Sequence, residues 1–508
     1  MLFSGIVQAA ISPPLGWIWL HPLAWVPAFF VFSHSSGRRA LLAGWIVGTS
    51  AQLAIFHWLA ATVTRYGDIP LPLSLLSLLL FAAVTGFYAA VFAWGFARVR
   101  RVAAARWPFA VAVWFAAVEY LNPQIFGYLQ GVAWYQVPEL FLVSAVTGVS
   151  GVSFLVILCN AVALQALEVA RGKQGETRRA LLVNAAGLVA LLVTAAGYSG
   201  ARLDAIERAE RDAAPLRVAL VQPNHTIERR RELQQLGREA FAADMLALSR
   251  AAREKSAAAG ERIDVFVWPE GALRADPSQV FNRSVGDFVR ESGSEVWTGA
   301  NHHEIGLKGT SVSHNSAFRI HGDGSLDRRY DKNILVPFGE YVPLEGVVPG
   351  FDRIPTVASF ERGDGVPRYV SGPARFVFLI CYEAIRSTFV RRALGDDTNL
   401  IVNVTVDAWY GDTSEQSQHL MLAAAQSALH GLPLLRATTT GISAIVDARG
   451  VIIARTGTFT PEVIVREIRP VRVPAPYSTW GDVLAWIFVA SSAALLVVST
   501  SRLRRARA

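Results

Sequence analysis

The chain has 508 residues, 52% of them hydrophobic and 17% charged, with a mean hydropathy of +0.33. That is too apolar for an ordinary soluble protein and leaves room for a membrane part plus a globular domain. A net charge of +8 would suit a nucleic-acid partner, but many of the positive charges fall at the ends of apolar segments, where membrane topology accounts for them and no nucleic acid is expected. With two cysteines, Cys159 and Cys381, a disulfide framework is excluded.

From 2 to 199 the sequence is a succession of apolar segments, at 2–12, 16–33, 40–62, 70–98, 106–121, 139–168 and 179–198, and an eighth covers 481–499. A spanning helix needs about 20 apolar residues. The first segment is short, because Ser12-Pro13-Pro14 breaks it. No Lys or Arg precedes it, so it does not read as a cleavable signal. Cys159 lies inside the sixth segment, where packing is its expected role.

Basic residues follow every second segment: Arg38 and Arg39; Arg98, Arg100, Arg101 and Arg106; Arg171, Lys173, Arg178 and Arg179; and Arg502, Arg504, Arg505 and Arg507. The alternating connections hold a single Arg, Arg65, and no Lys. The positive-inside rule then puts both termini in the cytoplasm and the long polar stretch before the last segment on the outer face. A domain placed there has no access to cytoplasmic ATP or acyl-coenzyme A. Glu119 ends the fifth segment beside Tyr120 and Asn122, where a carboxylate either is functional or reaches the interface. The outer loop 122–137 is aromatic and lacks Lys, Arg, Asp and Glu; Tyr128 within it is a candidate wall for a lipid chain, against the alternative of an interfacial aromatic belt.

After a charged connector the pattern changes at Pro215. Short apolar runs at 218–221, 263–268, 296–298, 315–320, 376–381, 400–406, 441–447, 451–454 and 463–466 predict strands. Helices are expected at 227–253, 278–292, 386–394 and 414–429, the first with Phe241, Met245 and Leu248 as a core-facing stripe. This is one α/β-type domain of substantial core, closed by a proline-rich linker at 470–477. The expected organisation is a membrane domain of about seven helices over 1–200, a catalytic domain over 215–470 and a last membrane helix over 478–500.

Three stretches of this domain end an apolar run in chemistry. Val265-Phe266-Val267-Trp268-Pro269 stops at Glu270; Asp331-Lys332-Asn333 precedes Leu335-Val336-Pro337-Phe338-Gly339-Glu340; and the run 374–380 ends in Cys381-Tyr382-Glu383. A carboxylate, an ammonium and a thiol are the parts of a nucleophilic acyl-transfer site. A free thiol is only a few per cent thiolate at neutral pH. Glu270 can take its proton as general base. Lys332 can hold the oxyanion of a tetrahedral intermediate, helped by a backbone N–H after the nucleophile. Glu340 could fix the lysine by a salt bridge, and Glu383 is near enough in sequence to Cys381 to shape the site.

Trp268-Pro269-Glu270, Tyr330-Asp331-Lys332-Asn333 with the stretch 336–343, and Ile380-Cys381-Tyr382-Glu383 resemble the three signatures of the nitrilase superfamily, the middle one specifically like the apolipoprotein N-acyltransferase family. Val221-Gln222-Pro223-Asn224, Thr298-Gly299-Ala300, Asn315-Ser316, Asp407-Ala408-Trp409-Tyr410-Gly411, Gln418-His419 and Pro433-Leu434-Leu435-Arg436-Ala437-Thr438 add to the likeness, and so does the order of membrane segments, domain and last helix. The resemblance implies a multi-span α-helical membrane domain carrying an inserted α/β, nitrilase-like αββα sandwich. It implies Glu270 as base, Lys332 for the oxyanion and Cys381 as nucleophile, with Glu340, Tyr382 and Glu383 supporting.

It further implies transfer of an acyl chain from a phospholipid, through a Cys thioester, to the N-terminal cysteine amine of a diacylglyceryl-lipoprotein. The setting would be a bacterial inner membrane, with the catalytic domain on the periplasmic face, no cofactor, no metal and a monomeric chain. Trp409 and His419 are candidate substrate-binding or lid residues, against the alternative of ordinary packing for each. The chain departs from the family at Val406, where Asn is usual, at Gln426, Leu429 and Leu432 around the helix before Pro433, and at Thr440; the family's Trp after the Gln-x-Asn segment is absent from 225–240. These departures touch the shell around the site and leave the triad intact. The alternative is a membrane-anchored amidohydrolase using the same three residues with water as acceptor; a transporter or scaffold is disfavoured by the intact triad and by the lack of charge deep in the spans.

Overall fold

The computed structural model describes residues 1–67, 69–278, 283–305, 311–342 and 360–505. Helices run α1 Leu2–Ile11, α2 Val26–Ser33, α3 Gly37–Ile55, α4 Trp58–Gly67, α5 Leu71–Thr85, α6 Phe87–Ala103, α7 Trp107–Leu121, α8 Pro138–Phe141, α9 Ser144–Ala170, α10 Arg178–Asp212, α11 Ile227–Leu236, α12 Arg238–Ala258, α13 Arg283–Ser292, α14 Ser387–Ala393, α15 Glu415–His430, α16 Pro476–Trp480 and α17 Val483–Arg505. Two compact units form, one from Met1–Ala61, Pro70–Asp204 and Pro474–Ala508, the other from Thr62–Ile69 and Ala205–Val473.

The first unit is helical. Its centre is aromatic: Trp25, Phe29, Phe32, Phe92, Phe96 and Phe115 are fully buried and meet edge to face or tilted, with Trp25–Phe115 centroids 5.3 Å apart. Helices α3 and α6 approach closely because small residues line the seam; a Cβ on Gly48 would lie 2.0 Å from the Gly86 carbonyl oxygen. Outward faces are apolar instead of polar, with Leu76 and Leu80 on α5, Leu182 and Val193 on α10, and Trp486 and Val497 on α17 all exposed. In water such faces would be a liability; in lipid they are the solvent-facing side. Among the described residues the stretches Leu71–Leu121, Ser144–Ala170, Arg178–Asp212 and Val483–Ser501 are long and apolar enough to cross a membrane, and Gly37–Ile55 with Trp58–Arg65 is so only as a pair, bent by 57°.

Two apolar segments differ from their sequence reading. The segment 16–33 is not one helix: it holds a 3-10 turn, Ile18–Leu20, and the eight-residue α2, with Pro22 between them and Pro27 in the first turn of α2. The segment 70–98 is interrupted at Gly86 into α5 and α6. Glu119 turns inward at the end of α7. It is 2% exposed, and its Oε1 accepts the backbone N–H of Gln130 at 2.6 Å, which folds the loop after α7 back onto the helix.

The second unit is a two-sheet sandwich. Strands are β1 Leu216–Gln222, β2 Val265–Val267, β3 Glu295–Ile305, β4 Ser311–Ile320, β5 Tyr330–Asp331, β6 Tyr369–Ser371, β7 Ala374–Ile380, β8 Leu400–Thr405, β9 Leu434–Thr438, β10 Ala444–Val446, β11 Ile452–Arg455 and β12 Glu462–Ile468. They make two six-stranded sheets, ordered β12-β1-β2-β3-β4-β5 and β11-β10-β9-β8-β7-β6. In each, the central strands run parallel (β1-β2-β3 and β7-β8-β9) and read as continuous apolar runs because both faces are covered. The sheets meet face to face, as where Trp297 of β3 stacks on Phe376 of β7 at 3.9 Å. Helices α12 and α13 cover the outer face of the first sheet through Met245, Leu246, Phe288 and Val289, and α14 and α15 lie with the second, giving the αββα order.

Three details depart from the sequence reading. The helix expected at 227–253 is two helices, broken at Gly237, whose φ of +104° is open to glycine. Of the helix expected at 278–292, residues 279–282 lie outside the described residues, and α13 starts at Arg283. Strand β9, in the middle of the second sheet, was not anticipated: Arg436 interrupts its apolar run, yet that side chain is fully buried and paired with Asp407.

Candidate active site

Glu270, Lys332 and Cys381 come to one place because each ends or follows a strand. Cys381 follows β7 directly. Its φ of +51° lies in the left-handed region, a sharp elbow that costs a non-glycine residue roughly 1–2 kcal/mol. The surroundings hold that conformation in place. Glu383, fully buried, accepts the N–H of Ile380 at 2.7 Å, of Asn333 at 2.6 Å and of Ile334 at 3.0 Å, plus the Tyr330 hydroxyl at 2.7 Å. One carboxylate thereby ties the elbow to the Lys332 loop. From the other side Asn403 of β8 donates Nδ2 to the carbonyls of Leu379 and Cys381 at 2.9 and 3.4 Å.

Glu270 sits just past β2 on a segment laid against β3. A Cβ on Gly299 would meet the Glu270 Cα at 2.6 Å, so glycine is required for this approach. The carboxylate is oriented at both oxygens: Oε1 accepts Asn315 Nδ2 at 2.5 Å, and Oε2 accepts the Val406 N–H at 2.8 Å. Position 406, where the sequence departs from the family's usual Asn, therefore holds the Glu270 carboxylate through its backbone.

Lys332 is 1% exposed. Its Nζ donates to Glu340 Oε1 at 2.8 Å and lies 3.9 Å from Glu270 Oε1. Glu340 is held in turn by the Val336 N–H at 2.8 Å, and Asn315 Nδ2 reaches it at 3.2 Å. Asn315 thus bridges the two carboxylates that flank the ammonium.

The electrostatics follow from this packing. Burial, reinforced by Glu270, pushes the Cys381 thiol well above its ordinary value, with Lys332 pulling against them. Burial also raises Glu270; Lys332 opposes this, and Glu340 adds to it. Burial works against the Lys332 charge, but Glu340, Glu270 and the Cys381 sulfur outweigh it and hold the ammonium well above the ordinary lysine range. Burial thus acts on the thiol and on the carboxylate in the same direction, while the neighbouring acids favour the lysine charge. A carboxylate of raised basicity can take the thiol proton as the sulfur attacks, so a free thiolate need not accumulate.

The remaining residues singled out in the sequence fall in different places. Tyr382 follows Cys381; its ring lies under the Arg386 guanidinium at 5.5 Å and its hydroxyl accepts Arg386 Nη1 at 3.2 Å. Trp409 is half-buried on the 3-10 turn Ala408–Tyr410. His419 is buried on α15, its Nδ1 3.3 Å from both Asp407 and Glu415, so it belongs to an internal ionic set and not to an exposed lid. Tyr128 belongs to the first unit, where its hydroxyl pairs with that of Ser12 and its ring meets Phe56 at 6.2 Å.

Asn315, Asn403 and Arg436 had no assigned role in the sequence. Arg436 Nη2 reaches Asp407 Oδ2 at 2.8 Å and its Nη1 the Asn403 Oδ1, which links the ionic set to the elbow. Among the described residues Asp407, Glu415 and His419 are the one group whose ligand atoms come close enough for a metal ion. Burial would raise Asp407, but Arg436 and His419 outweigh it and hold it well below the usual carboxylate range.

A sandwich of this topology with a carboxylate, lysine and cysteine at its strand ends is a carbon–nitrogen-hydrolase-type catalytic module, here in one chain with long apolar helices. The comparisons agree: residues 217–475 match the carbon-nitrogen hydrolase family and residues 4–162 the apolipoprotein N-acyltransferase N-terminal domain. The chain is 30% identical to apolipoprotein N-acyltransferase of Geobacter metallireducens, over 99% of this chain and 95% of that one. It is 31% identical to the protein of the same name from Brucella melitensis, over 98% and 95%. Among solved structures, an amidase from Nesterenkonia sp. aligns at 19% identity over 52% of this chain and 92% of that one, with a TM-score of 0.34. The chain belongs to the apolipoprotein N-acyltransferase family.

Proposed function

We propose that this enzyme moves an acyl chain from a membrane phospholipid to the N-terminal cysteine amine of a diacylglyceryl-apolipoprotein, with Glu270, Lys332 and Cys381 as its catalytic residues. The observation that carries the residue assignment is the buried cluster of Lys332 between Glu340 and Glu270, next to a thiol at a strained elbow.

In the first half-reaction Cys381 Sγ attacks the ester carbonyl while Glu270 takes its proton. Lys332 Nζ and a backbone N–H after Cys381 hold the oxyanion. The carbonyl–oxygen bond then breaks, the Glu270 proton passes to the leaving lysophospholipid alkoxide, and a thioester remains. In the second half-reaction the α-amine attacks that thioester, Glu270 removes a proton from it, and the Cys381 sulfur leaves and is reprotonated. No nucleotide-activated donor enters, in keeping with a catalytic domain on the outer face and both termini in the cytoplasm, as the distribution of basic residues implies.

The test is purified enzyme with a phospholipid labelled in its acyl chain and a diacylglyceryl lipopeptide. Label in an amide on the lipopeptide is expected. Label released only as free fatty acid would instead establish the hydrolase with water as acceptor.

A further inference from the structure

Strand β8 ends beside Cys381. It runs parallel to β7 with Ile380 opposite Val404, so the next residue along each brings Thr405 alongside Cys381. Thr405 is fully buried, and its hydroxyl is in hydrogen-bond contact with the Cys381 side chain. Asn403, two residues earlier, leaves β8 on the same face and donates to the carbonyls of Leu379 and Cys381 at 2.9 and 3.4 Å. One face of one strand thus meets the elbow at its backbone and at its sulfur.

The Thr405 hydroxyl has a second partner: Oγ1 donates to Asp407 Oδ1 at 3.1 Å. A hydroxyl carries one hydrogen, so Thr405 can give it to Asp407 or to the sulfur but not to both. Beside a neutral thiol the hydrogen goes to the carboxylate, and an oxygen lone pair is left for the S–H. Once the sulfur carries charge it becomes the stronger acceptor of the two sulfur states and competes for that hydrogen. Asp407 keeps other partners when the hydrogen turns away. Arg436 Nη2 stays on Oδ2 at 2.8 Å, and His419 Nδ1 lies 3.3 Å from Oδ1. Packing also fixes the carboxylate, since a Cβ on Gly441 would lie 2.3 Å from Asp407 Oδ2.

We propose that Thr405 is a further catalytic residue, whose hydroxyl turns its hydrogen from Asp407 to the Cys381 sulfur whenever that sulfur carries negative charge; this rests on the acyl-transfer reading above. In the first half-reaction this happens as Glu270 takes the thiol proton and Sγ attacks the ester carbonyl. In the second it happens as the carbon–sulfur bond breaks and its electron pair passes to sulfur, before the proton returns from Glu270. Thr405 neither gains nor loses a proton; its O–H bond stays intact and only the acceptor changes. The bond to sulfur is made in the charged state and not to the resting thiol or the thioester, so it lowers both barriers without tightening either ground state.

The test follows two reactions of full-length enzyme in detergent, for the wild type, Thr405→Val and Thr405→Ser. One is alkylation of Cys381 by iodoacetamide as a function of pH, read on the Cys381 peptide. The other is acyl transfer from a phosphatidylglycerol to a diacylglyceryl lipopeptide, with thioester and amide formation timed separately. Thr405→Val keeps the shape and removes the hydroxyl; Thr405→Ser keeps the hydroxyl. In Thr405→Val the rising limb of alkylation against pH is expected to move up by about one unit or more, which makes the reaction about tenfold slower at any pH on that limb. Thioester formation and its transfer to the amine should each slow by about tenfold. Thr405→Ser should stay near the wild type in all three.

An alkylation limb in Thr405→Val that coincides with the wild type would overturn the proposal and leave the hydroxyl as a support for Asp407 alone. Thr405→Ser as slow as Thr405→Val would overturn it too, by assigning the loss to packing of the methyl group. A displaced limb with both acyl-transfer steps unchanged would overturn the catalytic role. A wild type alkylated at Cys381 but never acylated by phospholipid would remove the acyl-transfer reading itself, while a displaced limb would still assign the hydroxyl to the sulfur.

Discussion

Asn315 Nδ2 stands 2.5 Å from Glu270 Oε1 and 3.2 Å from Glu340 Oε1, so one amide joins the two carboxylates on either side of Lys332. An NH2 group facing two acids donates to both and keeps their spacing. Asn315→Asp would put a third carboxylate at that point. The expected outcome is a fall in single-turnover acylation of Cys381 of about 100-fold or more, from like-charge repulsion that turns Glu270 away. Asn315→Ala, which only removes the bridge, should lose less. Rapid-quench measurement of acyl-enzyme formation checks both.

Val406 offers a contrast, because its contribution to Glu270 is a backbone N–H at 2.8 Å. Val406→Asn, the family's usual residue, should leave the acylation rate within about threefold. Val406→Pro removes the donor and should lower the rate by about tenfold or more. If both variants behaved alike, the backbone bond would not be what orients the base.

The acid limb of the pH–rate profile should sit above the ordinary carboxylate range. Glu270 must be unprotonated to accept the thiol proton, and burial together with Glu340 raises its pKa. Activity is therefore expected to rise with pH through that elevated value. Glutamate-to-glutamine replacement at 270 should abolish acylation and not merely shift the limb. The profile of kcat/KM against pH is the measurement.

Stability should respond to pH in the opposite sense. Burial pushes Glu383 up to about 7 despite the N–H groups of Ile380 and Ile334 and the Lys332 charge, and burial likewise pushes Glu415 to about 7. An acid whose folded pKa exceeds its unfolded value binds more protons when folded, so its contribution is present at low pH and is lost as pH rises between about 4.5 and about 7. Thermal stability of the catalytic unit should decline across that window. Glu383→Gln should flatten the slope, and it should also slow acylation, because an amide NH2 would face the N–H donors that define the elbow.

Arg436 tests the buried ionic set. It is fully buried, with Asp407 and Asn403 as partners. Arg436→Leu takes from Asp407 its largest compensating charge and should cost roughly 3–5 kcal/mol of stability, the amount typical of breaking a buried pair from one side. A thermal shift measured beside Arg449→Leu, where the Arg side chain is 30% exposed, would separate this from a general loss of charge.

The parts of the fold and site that were legible in the sequence are those where an apolar run ends abruptly. Glu270 and Cys381 each follow such a run and Lys332 precedes one, their grouping came from the family resemblance, and the period-two and continuous runs placed most of the strands. What was not legible is set by pairing in space. Asn315 gains its role from the β4 register, which lays it opposite Asn301 and beside Glu270. Strand β9 was hidden because Arg436 looks like a solvent-facing charge until Asp407 is found next to it. For His419 the sequence left a lid role and ordinary packing both open, because it does not show the two carboxylates that enclose the imidazole. In the membrane unit hydropathy marks apolar segments yet does not show where they bend, so the breaks near Pro22 and at Gly86 came only with the structure.

The central claim is that Cys381 carries the acyl chain. Its most direct measurement is intact-peptide mass spectrometry of the enzyme after exposure to a phospholipid of defined acyl composition, before any acceptor is added. The account predicts one acyl chain in thioester linkage on the Cys381 peptide, removed by neutral hydroxylamine and absent from Cys381→Ala. An acyl chain found elsewhere, or products formed at the wild-type rate by Cys381→Ala, would contradict it.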